Sequence, residues 1–216
     1  IVLGKPFPQE KICPTGLVLD DKRNRLYTVT KENNSLYVID LAAKKILKQV
    51  PLNAEAYQCL LSPDRKNLYV SLWGSDQIAV FDTQTEKITK TVPVGDNPND
   101  LVLTRNGKTL FVSNANDNTV SIVDLAAGKV TETLQTSLYP NAPAGSTPNA
   151  VALSPDEKTL FVANADNNCV AVFDISQPKA SKSKGFIPTG WYPTSVKTIG
   201  KKLYVANGKG FTSLPN

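Results

Sequence analysis

No histidine occurs anywhere in the 216 residues. That absence excludes a Ser-His-Asp or Cys-His relay within the chain, and with it His-ligated zinc and copper sites. Methionine is missing too, even at position 1, so the chain is expected to be an internal or processed piece of a longer one. No run approaches 18 apolar residues, so no membrane span is expected, and neither end reads as a signal peptide or lipidation motif. Cysteine is scarce. Cys13, Cys59 and Cys169 have no C-x-x-C spacing, which argues against a metal site or disulfide framework, and Cys59 and Cys169 fall in apolar strand patterns as buried free thiols.

What is present is ordinary in bulk and unusual in order. Hydrophobic residues make up 41 % and charged residues 20 %, as expected of a globular domain, and the net charge of +5 comes from lysines spread along the whole chain. The denser run over 179–184 (KASKSK) has three lysines and no interleaved aromatic residue, so it reads as a solvated turn, and no nucleic-acid partner is expected.

The order is a repeat. Leu26, Leu68, Leu110, Leu160 and Leu203 recur at steps of 42, 42, 50 and 43, and Asp40, Asp82, Asp124 and Asp174 at steps of 42, 42 and 50. A period in the low forties made of short strands and turns is the signature of propeller blades. In the clearest copy, strand a runs over Asn149–Leu153, strand b over Thr159–Ala163, strand c over Cys169–Asp174 and strand d near Ser183–Pro188. Ser154-Pro155-Asp156 suits the a–b turn, since proline presets φ and the Asp side chain closes an Asx turn.

The expected fold is all-β: a β-propeller of four-stranded antiparallel blades. Complete blades are expected over 14–52, 56–94, 98–135 and 148–188, with a strand d remnant at 1–4 and a partial blade over 194–207. The remnants lack a strand c between them, which points to an arc of a larger ring. Two d–a connections are lengthened, Lys5–Cys13 and Gln135–Ser146.

A residue that closes a turn should recur with the turn, whereas a catalytic residue should occur once. The Asp40 series therefore reads as structural, and no catalytic residue, metal or cofactor is assigned. In a blade running a to d outward, the d–a and b–c loops share one rim. That rim is expected to carry Trp73, Trp191 and Tyr192, aromatic groups with no strand face to bury them and hence candidates for contact. The residues opening strand a and those just before it, including Glu55, Tyr57, Asn97, Asn99 and Asn149, would line the channel mouth and could orient a small polar or carbohydrate ligand. The competing reading is that Asn beside Pro caps each d–a turn. The Asn-rich b–c turns over 114–118 and 164–168 suit left-handed turn positions better than a calcium loop.

Leu68-Tyr69-Val70-Ser71, Phe111-Val112-Ser113-Asn114, Phe161-Val162-Ala163-Asn164 and Tyr204-Val205-Ala206-Asn207 resemble the YVTN repeat of bacterial and archaeal propellers, and Pro98-Asn99, Pro148-Asn149 and Ser62-Pro63-Asp64 match the same family. The tail Gly185–Asn216, through Trp191-Tyr192-Pro193-Thr194 and Asn207-Gly208-Lys209-Gly210, is similar to the last blades of propellers that precede an alkaline-phosphatase-like phosphoesterase domain. The resemblance implies a roughly seven-bladed ring in a secreted or periplasmic bacterial protein. The expected function is a non-catalytic scaffold or binding module that packs on an adjoining domain or another protein. Alternatives are a lactonase-like propeller, for which only Glu55 approaches the needed carboxylate placement, and a surface-layer or adhesion repeat.

Overall fold

The computed structural model describes residues 1–5, 8–9 and 11–210, and among them holds eighteen strands and no helix. The chain divides into two compact units, Ile1–Pro93 and Val94–Asn216.

Unit 1 contains two four-stranded antiparallel sheets. The first is β1 (Cys13–Asp20), β2 (Arg25–Lys31), β3 (Ser35–Asp40) and β4 (Lys45–Pro51). The second is β5 (Ala56–Leu61), β6 (Asn67–Leu72), β7 (Gln77–Asp82) and β8 (Lys87–Pro93). Unit 2 contains β9 (Pro98–Leu103), β10 (Thr109–Asn114), β11 (Thr119–Asp124) and β12 (Lys129–Gln135) in one sheet. A second is β13 (Pro148–Leu153), β14 (Thr159–Asn164), β15 (Cys169–Asp174) and β16 (Lys182–Pro188), followed by the pair β17 (Pro193–Ile199) and β18 (Lys202–Asn207). Each sheet pairs its strands in chain order, as blades of a β-propeller do. Residues 1–4 form no strand: an outer strand is held by hydrogen bonds to a strand c, and no described strand precedes Cys13. The expected long connection over 5–13 and the end of the tail, 211–216, fall partly or wholly outside the described residues.

Strands b and c do not alternate in burial as a half-exposed strand would. β6, β10 and β11 are buried along nearly their whole length. The outer strands β4 and β8 keep one wet face and alternate. In unit 1 the core joins Tyr27, Val29, Leu36 and Val38 of one blade to Leu68, Val70 and Phe81 of the next, and the Tyr27 and Phe81 rings meet edge to face at 6.3 Å. Unit 2 repeats this with Phe111, Val120 and Leu134 against Val151, Leu160 and Val162, and a smaller cluster packs Ala150, Ala152 and Ala163 on Val196.

The turns follow the repeat. Asp40, Asp82, Asp124 and Asp174 accept hydrogen bonds through Oδ1 from the amides of Ala43, Thr85, Ala127 and Ser176 at 2.7–2.9 Å, so the recurring carboxylate closes each c–d turn. Ser62–Asp64 and Ser154–Asp156 close the a–b turns by 2.6 Å hydroxyl-to-carboxylate bonds, and Thr104 with Asn106 does the same in the remaining blade of unit 2. Each b–c turn ends on a left-handed residue: Asn34, Asp76, Asn118 and Asn168 have φ of 45–57°.

Two irregularities recur. Every complete blade has a register shift between strands c and d, at Val38/Ile39, Val80/Phe81, Ile122/Val123 and Val172/Phe173. Every a–b pair has another near its start. Such bulges sharpen local twist and re-aim side chains.

Candidate functional site

Within each unit the d–a loops lie against the b–c turns, because the chain leaving strand b bonds back to the loop that led into strand a. In unit 2 the amides of Ala115, Ala165 and Gly208 donate to the carbonyls of Asn97, Thr147 and Tyr192 at 3.1, 3.0 and 2.8 Å. The three acceptors share a left-handed backbone, with φ of 52°, 49° and 58°. In unit 1 the corresponding Glu55 is not left-handed, and the amide of Gly74 rather than Trp73 donates to its carbonyl at 3.3 Å. The departure changes what the turn presents.

What it presents is a compact patch around the Lys31 ammonium. Lys31 Nζ lies 4.2 Å from the Trp73 ring centroid, 6.0 Å from that of Tyr57 and 3.4 Å from Glu55 Oε2. Trp73, expected on the rim, and Glu55 and Tyr57, expected at the channel mouth, are thus brought together by a fourth residue. A cation over an indole face contributes about 0.5–1 kcal/mol at an accessible site, and the carboxylate fixes the ammonium from a second side. Tyr57 stays exposed, and Lys31, Glu55 and Trp73 are half-buried. The result is a preorganised aromatic surface of the kind that anchors protein contacts.

Unit 2 carries a related arrangement. Trp191 is 42 % exposed, and its amide donates to the carbonyl of Gly210 at 2.7 Å while its carbonyl accepts from Lys209 at 3.2 Å. Lys209 Nζ stands 4.5 Å from the Tyr192 ring centroid, and the Tyr192 amide donates to Asn168 Oδ1 at 2.8 Å. Aromatic loop residue and overlying lysine recur, here without a carboxylate in the pair.

The candidate amides are engaged in the framework. Asn99 is buried; its Nδ2 donates to Asn149 Oδ1 at 3.1 Å, and its Oδ1 accepts from the Asp100 amide and from Ser113 Oγ at 2.7 and 2.5 Å. The two side chains stitch strand a of one blade to strand a of the next within unit 2. Asn97 accepts from Asn116 Nδ2 and supports the turn. Their geometry is that of fold-holding groups, with Asn149 partly accessible beside them.

The arginines are tied up elsewhere in the repeat. Arg23 and Arg65 reach the fully covered but shallow Asp20 at 2.9 and 2.8 Å, and Arg65 also pairs with Asp21. Arg25 pairs with Glu86 at 3.0 Å, and Arg105 bonds to the Pro155 carbonyl and, through its amide, to Glu157. Burial pushes the Asp20 carboxyl up, but hydrogen bonds from Arg65 and Arg23 outweigh it and hold its pKa below the ordinary value. Asp100 behaves oppositely. Part of the residue is accessible, yet protein surrounds its carboxyl, and desolvation raises its pKa against the Val151 amide at 3.0 Å and the charge of Lys197. Burial also pushes the Cys59 thiol up to about 12 and Cys169 in the same direction, while Cys13 is exposed. All three thiols are free.

Sequence reasoning missed Lys31 and Asp100. Lys31 occupies the repeat position held by Trp73, Ala115, Ala165 and Gly208 in later copies, so it is the charged residue in an otherwise uncharged series. That contrast was the available signal. Asp100 stands where the other blades have Gly16, Gln58, Ala150 and Ser195.

Residues 1–201 match the model of the YNCE-like beta-propeller family. Comparison with curated proteins gives no match. Among solved structures, a Lactobacillus plantarum protein superposes with a TM-score of 0.79 at 20 % identity, over 90 % of this chain and 64 % of that one. A Bacteroides uniformis protein described as a putative 6-phosphogluconolactonase gives 0.76 at 18 % identity, over 88 % and 62 %. A functionally unknown protein from Desulfotomaculum acetoxidans gives 0.75 at 15 %, over 90 % and 62 %. The chain therefore spans less than two thirds of the length of these structures, and at such identities the likeness establishes the fold.

Proposed function

Since the chain belongs to the YNCE-like β-propeller family, we propose that it is a non-catalytic binding module whose d–a and b–c loops take up a protein surface, that of an adjoining domain or a separate partner. The observation that carries this reading is the Lys31 patch: an ammonium held between the Trp73 ring and the Glu55 carboxylate, with Tyr57 exposed beside it. Aromatic groups fixed in this way lose little freedom on contact, which favours a macromolecular partner.

Similarity of the tail to propellers that precede phosphoesterases extends the proposal. The partner is then a phosphoesterase domain of the same secreted or periplasmic bacterial protein, and the loops position it or shape access to its substrate. Support comes from Trp191-Tyr192-Pro193-Thr194 and from the lysine that caps Tyr192. Against catalysis within this chain, Glu55 is paired with Lys31, and the four arginines are held by carboxylates or backbone carbonyls of other turns.

The test uses the natural full-length protein and a version lacking the flanking domain. Association between the separated parts, weakened about tenfold or more by Trp73→Ala, supports the proposal. Absence of association together with equal phosphatase kinetics removes it, and turnover of 6-phosphogluconolactone by the propeller alone replaces it with the lactonase reading.

A further inference from the structure

The repeat is broken once inside unit 2, where the step of 50 inserts residues between β12 and β13. The insertion is built rather than loose. It begins where the Thr136 amide and hydroxyl both donate to the Asn118 carbonyl at 2.8 Å. It ends where Asn118 Oδ1 accepts from the Gly145 and Ser146 amides at 3.0 and 2.6 Å, while Asn118 Nδ2 donates to the Pro143 carbonyl at 2.9 Å. One buried asparagine thus grips both ends. The tip is a tight turn, with the Ala142 amide bonded to the Tyr139 carbonyl at 3.3 Å, Pro140 at the first central position and Asn141 left-handed at φ 59°. This is a fixed Ω-loop that holds Leu138 and Tyr139 out in solvent, 48 % and 59 % exposed.

Beneath the loop lies a cavity of about 720 Å³, within the range of small-molecule sites. Its lining combines the apolar residues Leu138, Tyr139 and Phe186 with the neutral polar residues Asn116, Gln135, Ser137 and Asn141. The charged side chain in the lining is Asp117, a carboxylate that accepts from the Asp96 amide and Thr119 Oγ1 and, with about four lone-pair sites, retains capacity for further donors.

We propose that this cavity binds a neutral saccharide. A sugar ring has an apolar face that stacks on an exposed aromatic ring and a periphery of hydroxyls that both donate and accept. Amides and a carboxylate match vicinal hydroxyls, whereas the lining offers no cation to a phosphate or carboxylate ligand. The loop is held by its own backbone and by Asn118, so little ordering opposes binding. The site shares no residue with the Lys31 patch and stands independently of it.

The test is calorimetric titration of the natural full-length protein with maltohexaose, cellohexaose and the hexamer of N-acetylglucosamine. Binding of at least one is expected, with affinity lowered about tenfold by Tyr139→Ala, held within about threefold by Tyr139→Phe, and unchanged by Trp73→Ala. Tyr139 is largely exposed, so the alanine variant should fold, and its urea midpoint checks that it does. The proposal is overturned by no binding of any hexasaccharide at about 10 mM, by binding indifferent to Tyr139→Ala, by loss through Trp73→Ala instead, or by competition from inorganic phosphate.

Discussion

Ion pairs help hold the loops of unit 1, and side-chain amides help hold those of unit 2. In unit 1 Lys31 joins Glu55 to Trp73, and Asp20 collects Arg23 and Arg65 in the turns between strands a and b. In unit 2 Asn118 and Asn168 do the equivalent work through hydrogen bonds to backbone, and Asn97 and Asn99 through bonds with Asn116 and Asn149. The repeat supplies the same strand order in both units, but the turn backbone differs: Asn97, Thr147 and Tyr192 are left-handed and Glu55 is not. A single position, occupied by Lys31 in one copy and by Ala115 or Ala165 in others, decides whether a blade presents a charged aromatic patch or a plain turn.

The largest expected effect breaks the amide side of this comparison. Asn118→Ala removes three hydrogen bonds from a buried residue and leaves the Gly145 and Ser146 amides unpaired. A loss of about 2–3 kcal/mol in urea unfolding is expected, with little change between low and high salt. Arg65→Ala breaks the charged side and should lower stability by less than that, with the difference shrinking as salt rises. Acid sharpens the same contrast. The folded pKa of Asp20 is lowered, so its contribution is complete above the ordinary carboxylate pKa and is lost as pH falls through and below it. The folded pKa of Asp100 is raised, so its contribution has the opposite sign: present at acid pH and lost as pH rises through the folded value. Asp100→Asn should therefore stabilise unit 2 at neutral pH and make no difference near pH 3. The smallest effect is that of Lys31→Ala, about 0.5–1 kcal/mol in stability, since its ion pair and ring contact are both partly solvated. Under the proposed function the variant acts on contact rather than on folding.

Much of the framework was legible because each blade must satisfy the same turns. Asp82 and its mates recur because the c–d turn needs an acceptor for its own amides, and Asn118 and Asn168 because the b–c turn ends left-handed. Bulges such as Ile122/Val123 were not legible: they arise from twist across a sheet, and no residue type in the c or d strands requires them. Trp73 was expected on the rim and Tyr57 and Glu55 at the channel mouth, with no contact between them in view. Lys31 escaped notice because it lies in the preceding blade, 42 residues before Trp73, and lateral contact between blades leaves no local pattern. The amides at Asn99 and Asn149 looked available for a ligand, and their mutual bond became visible only once the inner strands stood side by side.

Trp73 and Trp191 are the chain's two tryptophans, so in a Trp191→Phe protein the indole emission reports on the Lys31 patch alone. Titrating that protein with the separately produced domain proposed to adjoin it should shift the Trp73 emission to the blue and shield it from iodide, and Lys31→Glu should abolish both changes. Association with an unaltered Trp73 signal would contradict the assignment of this surface as the point of contact.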